Sequence, residues 1–155
     1  MAKQMSGTKR AEAKKNQKTG TRKRKVLPKN AKFSMVIYAF LGMLNTVKLY
    51  HWKTYSYAEH KATDKLYSKL NDHIDTFVEI MLGKDESRFS LLNEKIKLLN
   101  YSSVKDFKAR VYAYRTFLIN MTDVFDPAED SDLLNVRDEI LGDINQFLYL
   151  MTFTK

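Results

Sequence analysis

The amino-acid sequence predicts an all-α fold: a four-helix bundle with a short extra helix in the connection between its second and third helices, preceded by a disordered basic tail. Three observations carry that reading. Apolar residues recur at helical spacing in four long stretches. The connection between residues 83 and 103 is far longer than the other two. The first 32 residues show no apolar periodicity. With 155 residues, 44% of them hydrophobic, the chain suits one domain around one core.

The formal charge of +9 is unevenly placed. Residues 1–32 hold 12 Lys and Arg against one acid, Glu12, a net +11; the remainder holds 15 basic and 17 acidic residues, a net −2. A segment so polar cannot bury enough surface to offset its ordering entropy, so residues 1–32 are expected to form a disordered tail and residues 33–155 the bundle. Lys14, Lys15, Lys18 and the run Arg22-Lys23-Arg24-Lys25 can neutralise DNA phosphates without reading bases. The tail has no aromatic residue, which argues against stacking on single-stranded bases. The same cluster, running into Val26, equally suits a nuclear localisation signal or an arm that clamps a neighbouring subunit. The absence of cysteine excludes disulfides and thiolate metal sites and fits a reducing compartment. No stretch reads as an uncharged apolar membrane span, and the basic start lacks the apolar core of a signal peptide, so a soluble protein is expected.

Each element follows from local signals. Ser34 is a plausible N-cap for a first helix through Met35, Val36, Ala39, Phe40, Met43, Leu44, Val47 and Tyr50, ending near Lys53. After the break Thr54-Tyr55-Ser56, a capping box of Ser56 and Glu59 starts a second helix. That helix carries Ala62, Leu66, Leu70, Ile74, Phe77 and Met81 on one stripe and has Gly83 as its expected C-cap. Phe89 to Leu99 reads as the short extra helix. Ser103 and Asp106 form another capping box, opening a third helix through Phe107, Val111, Tyr114 and Leu118 to about Phe125. Pro127 marks a turn, and Leu133, Val136, Ile140, Ile144, Phe147 and Leu148 give the fourth helix. Four long helices with one long crossover are the pattern of a ferritin-like bundle.

One face of the second helix stands out. His60, Asp64, Asp75 and Glu79 fall at about 0°, 40°, 60° and 100° on a helical wheel. Four metal-ligand types on one stripe are either a solvated polar face or a metal site. Asp64 and Asp75 are 11 residues apart, about 16 Å along the axis, too far to grip one ion within a chain. Two copies of the helix crossing antiparallel near residues 69 and 70 would instead set His60 and Asp64 of one subunit against Asp75 and Glu79 of the other. His51, next to Trp52, the one tryptophan, is a further candidate ligand; equally, His51 can cap a helix carbonyl while Trp52 fills the core. His73 lies about 220° round the wheel from His60, which makes it an interface or surface histidine. The sequence contains no Glu-x-x-His pair for a di-iron site inside one bundle, no phosphate-binding glycine loop and no Ser-His-Asp arrangement.

The segment His51-Trp52, then His60-x-x-x-Asp64, then Asp72-His73-Ile74-Asp75-x-x-x-Glu79 resembles the ferroxidase signature of the Dps miniferritins, including the 15 residues from His60 to Asp75. Two features depart from that pattern. The gap from His51 to His60 is nine residues, shorter than the family's, and Ile80 stands where a basic residue is common. The compact loop and lysine-rich tail also resemble Dps-like proteins of large DNA viruses. The resemblance implies that His51, His60 and Asp64 of one subunit, with Asp75 and Glu79 of its two-fold mate, form a catalytic di-iron site beside Trp52. It implies further a dodecamer built from two-fold dimers, Fe(II) oxidation by peroxide or oxygen, storage of ferric iron in the shell, and sequence-independent DNA binding and protection by the tail. The expected location is the cytoplasm or nucleoid or, for a virus, the host cytoplasm or nucleus or the virion. The competing expectation is a structural, DNA-condensing virion or chromatin protein with a weak or vestigial metal site.

Overall fold

The computed structural model describes residues 27–86, 88 and 95–153. Four helices run through them: α1, Lys29–Lys53; α2, Tyr57–Asp85; α3, Val104–Asn120; and α4, Ser131–Leu150, with a 3-10 turn Met121–Asp123 after α3. No strand occurs among the described residues. The fold is all-helical, as expected.

The direction of each helix follows from its end contacts. At one end, Lys29 at the start of α1 pairs with Asp85 at the close of α2 (3.0 Å), and Lys84 pairs with Asp132 at the start of α4 (3.0 Å). At the other end, the Tyr50 ring stacks on Phe107 near the start of α3 (3.8 Å), and Lys108 Nζ donates to the Met151 carbonyl past α4 (3.3 Å). The order is therefore up, down, down, up. The helices pack as α1 on α2, α2 on α4, α4 on α3 and α3 on α1, every neighbour antiparallel. Two successive helices pointing the same way require a connection that travels the length of the bundle. The described end of the α2–α3 connection lies at the opposite end of the bundle from Asp85, where Lys53 Nζ bonds Asn100 Oδ1 (2.5 Å) and the Tyr101 carbonyl (3.2 Å).

The core forms where the four apolar stripes meet. Phe40, Phe77, Phe107, Phe125 and Phe147 are fully enclosed. Phe77 takes Phe40 edge-on at 5.1 Å and Phe125 edge-on at 5.7 Å, the geometry that aromatic quadrupoles favour. On α2, Leu66, Leu70, Ile74, Phe77 and Met81 are all buried, as the periodicity predicts. Burial of each such side chain contributes about 1.5–3 kcal/mol.

Several local expectations change. α1 begins at Lys29 with Pro28 as N-cap, so Ser34 is a buried residue inside the helix and the body starts four residues before 33. The extra turn is held by the Lys29–Asp85 pair and by Lys32, whose Nζ lies 3.6 Å from Asp130 and 4.0 Å from the Phe125 ring. At the end of α2, Gly83 stays helical and Glu86 takes the left-handed cap with φ 48°. Lys84, bonded to the Glu129 carbonyl and to Asp132, carries the helix past the glycine. The hydrogen bond between these two holds Lys84 above its ordinary pKa and Asp132 below its own. Residues 95–100 carry no helix, and residues 89–94 of the expected short helix lie outside the described residues. By length and composition α1 is apolar enough to cross a membrane, although its uncharged run, residues 33–47, is interrupted by Lys48; half of the apolar stretch is buried inside the structure.

Candidate metal centre

The corner between α1 and α2 is built by short polar side chains. Ser56 Oγ accepts from the Glu59 N–H (3.3 Å), one half of the expected capping box. The other half is replaced: Ser56 N–H donates to Thr54 Oγ1 (3.1 Å), while the Glu59 carboxylate accepts from Thr54 Oγ1 (2.5 Å) and Tyr50 Oη (2.8 Å). Burial, then the Glu59 carboxylate, pushes the Tyr50 phenol well above its usual range. This network fixes the turn that brings His51 against His60.

The two histidines interlock. Their rings stack at 3.9 Å and 23°. His51 Nδ1 lies 3.0 Å from the His60 carbonyl, and His60 Nδ1 lies 3.1 Å from the His51 carbonyl. A carbonyl oxygen can only accept, so both Nδ1 atoms carry hydrogen and donate. With Nδ1 so engaged, Nε2 is the nitrogen left to take a ligand, the arrangement that orients metal-ligating histidines. Thr63, fully buried, shares its one hydroxyl hydrogen between the Glu59 carbonyl (2.7 Å) and the His60 carbonyl (3.0 Å) and stands 3.3 Å from His51 Nδ1. His51 thus caps a carbonyl, one of its two expected roles, in a way that leaves Nε2 free for the other.

His51 Nε2 lies 3.9 Å from Asp64 Oδ1. In the neutral ring, two acceptors face each other across that gap. His51 is buried, His60 half-buried and Asp64 exposed. Asp75 and Glu79 are exposed lower on α2, at helix positions three and four turns away, and no contact joins them to the histidines. Within one chain, no three His, Asp or Glu side chains among the described residues converge on a point that could hold a metal ion.

Trp52 does not fill the core. It is 68% exposed, with Lys48 Nζ 5.7 Å from its ring. His73 sits in the seam between α2 and α4, with Nδ1 3.1 Å from Asp143 Oδ2, off the hydrogen-bonding direction, and Nε2 3.7 Å from Glu139. Lys69 reaches the same Asp143 at 2.5 Å. Two grooves of about 830 Å³ and 700 Å³ open at the histidine end of the bundle, yet neither is lined by His51, His60 or Asp64. Lys14, Lys15, Lys18, Arg22, Lys23, Arg24 and Lys25 lie outside the described residues. Thr63 and Tyr50 were not singled out as site residues by sequence reasoning. Thr63 stood inside the apolar spacing of α2 as a polar residue, which was the available signal.

Among known proteins, the chain is similar to an uncharacterised 14.6 kDa protein from the mobD–ri intergenic region of Enterobacteria phage T4, with 40% identity over 55 residues. The aligned stretch covers 33% of this chain and 43% of the phage protein. No solved structure matches. A protein family described as a family of unknown function, DUF5856, matches residues 51–151, a span that opens on His51 and contains all five candidate ligands. The chain belongs to that family.

Proposed function

We propose that this protein is a Dps-like miniferritin, with a ferritin-like bundle, that oxidises Fe(II) at sites shared between two subunits and binds DNA through its basic tail. The observation that carries the reading is the interlocked pair His51 and His60. Their carbonyl-bound Nδ1 atoms leave both Nε2 atoms without a backbone partner, and that of His51 stands 3.9 Å from Asp64 Oδ1. Imidazole nitrogen and carboxylate oxygen together suit iron, which is here the substrate. With His51 neutral, a cation between its Nε2 and Asp64 Oδ1, 3.9 Å apart, would satisfy both acceptors.

The remaining ligands come from the mate. An antiparallel crossing of two α2 helices, level with residues 69 and 70, sets Asp75 and Glu79 of one subunit on the His60 and Asp64 end of the other. Tyr67, between the two polar pairs, and Val78, inside the second pair, are half-buried on the same flank of α2 and give that crossing apolar contact area. The up, down, down, up order with one full-length crossover also supports a ferritin-like bundle. Residues 126–150 hold seven acids and one base, and Asp132, Asp138 and Glu139 are exposed; such a surface draws cations toward a shell interior. The phage relative supports a viral origin.

The test is the mass of the purified full chain followed by Fe(II) addition. A closed particle near twelve subunits that oxidises Fe(II) and retains ferric iron is the expected result. A monomer at micromolar concentration has no shared site and overturns the reading.

A further inference from the structure

The net charge of the helical body conceals a second basic region. Residues 95–115 contain six basic residues, Lys95, Lys97, Lys105, Lys108, Arg110 and Arg115, and one acid, Asp106, a net +5. On α3, Lys105, Lys108, Tyr112, Arg115 and Ile119 recur at spacings of three and four and share about 80° of the circumference. The stripe turns away from the core side, which carries Phe107, Val111, Tyr114 and Leu118. Lys105, Tyr112 and Ile119 are exposed, and Lys108 and Arg115 half-exposed.

Among the described residues, the cations of this stripe have no carboxylate partner. Lys29, Lys32, Lys69 and Lys84 each pair with a carboxylate. Lys105, Lys108 and Arg115 pair with none among the described residues; Lys108 bonds the Met151 carbonyl, and the Arg115 guanidinium lies 4.9 Å from the Tyr112 ring. Asp106 accepts from Ser103 Oγ at 2.8 Å and belongs to the cap. Three unpaired cations in line along a rigid helix are an electrostatic footprint for a polyanion.

We infer that the outer stripe of α3 is a second nucleic-acid surface that contacts the phosphate backbone of duplex DNA. From Lys105 to Arg115 the helix runs about 15 Å, a length over which duplex DNA presents on the order of nine phosphates. Lys and Arg supply the charge, and the exposed Tyr112 hydroxyl supplies a neutral phosphate donor. No base-reading element accompanies them, so binding is sequence-independent. The inference stands apart from the iron chemistry and rests on the reading above only for the identity of the partner.

The experiment measures binding of a random-sequence 20-base-pair duplex against salt for four full-length forms: wild type; Lys105→Gln with Lys108→Gln and Arg115→Gln; a tail form with Arg22, Lys23, Arg24 and Lys25 all changed to Gln; and a control, Lys61→Gln with Lys65→Gln. The stripe variant is expected to bind about tenfold or more weakly at low salt, with its log–log salt slope shallower by about two to three, the sum for three lost phosphate contacts. Restoring Lys105 and Lys108 as Arg should recover most of that loss. Loss in the stripe variant with an unchanged tail variant would sustain this inference and remove the tail assignment. An unchanged stripe variant, or a control that falls as far, overturns it. So does unchanged DNA binding with reduced retention on immobilised polyglutamate, which assigns the stripe to an acidic protein.

Discussion

Exchanging Asp75 and Glu79 together for alanine is expected to lower the initial rate of Fe(II) oxidation by at least about 100-fold, since even the outer partners of metal ligands cost about 10–100-fold when removed. Both side chains are exposed and make no hydrogen bond or ion pair among the described residues, so helix content, particle mass and melting temperature should hold within the small range of surface substitutions. His60→Ala with Asp64→Ala should abolish oxidation equally. His51→Ala should differ in kind: the ring is buried against His60 and Thr63, so oxidation and stability fall together. Stopped-flow oxidation at the iron absorbance band, read beside circular dichroism, separates these cases. A rate within threefold of wild type for the Asp75 and Glu79 double variant would remove both residues from the site.

Phe77→Ala is expected to be the most damaging single core change on α2. The ring is fully buried and meets Phe40 and Phe125 edge-on, so truncation opens a cavity bordered by two rings that cannot both collapse into it. Such changes cost about 3–5 kcal/mol, and at roughly 2–4 °C per kcal/mol for a chain of this size the melting temperature should fall by about 6–20 °C. Trp52→Ala should shift it by no more than about 2 °C, because that ring is mostly exposed. Thermal melts at one fixed protein concentration make the comparison. Equal destabilisation by both would contradict the placement of the core.

The contrast between those rings marks what sequence could and could not convey. Periodicity made the core of α2 legible, since Leu66, Leu70, Ile74, Phe77 and Met81 repeat at helical spacing and all are buried. It said nothing reliable about Trp52, one residue from a helix end, where a large apolar ring fits either side. Helix boundaries were set by partners distant in sequence: Asp85 and Asp130 extend α1 back to Lys29, and Asp132 carries α2 past Gly83. The face shared by His60, Asp64, Asp75 and Glu79 was legible from angles alone. The mutual hold of His51 and His60 was not, because each ring is fixed by a backbone carbonyl, and backbone groups leave no mark in residue identity. The basic stripe of α3 was hidden by counting: averaged over the body, its positive charge disappears against the acids of α4.

The most direct test of a site divided between subunits is complementation. The His60→Ala, Asp64→Ala chain and the Asp75→Ala, Glu79→Ala chain are each inactive alone, because every site draws one pair from each subunit. In a mixed dimer, one site joins both mutated pairs, and the other joins the intact Asp75 and Glu79 of the first chain to the intact His60 and Asp64 of the second. Random mixing makes half of all dimers hybrid, so co-expressed chains are expected to recover about a quarter of wild-type Fe(II) oxidation on two-fold pairing. Native mass spectrometry fixes the hybrid fraction independently. No oxidation in a sample whose hybrids are so counted would contradict the shared site.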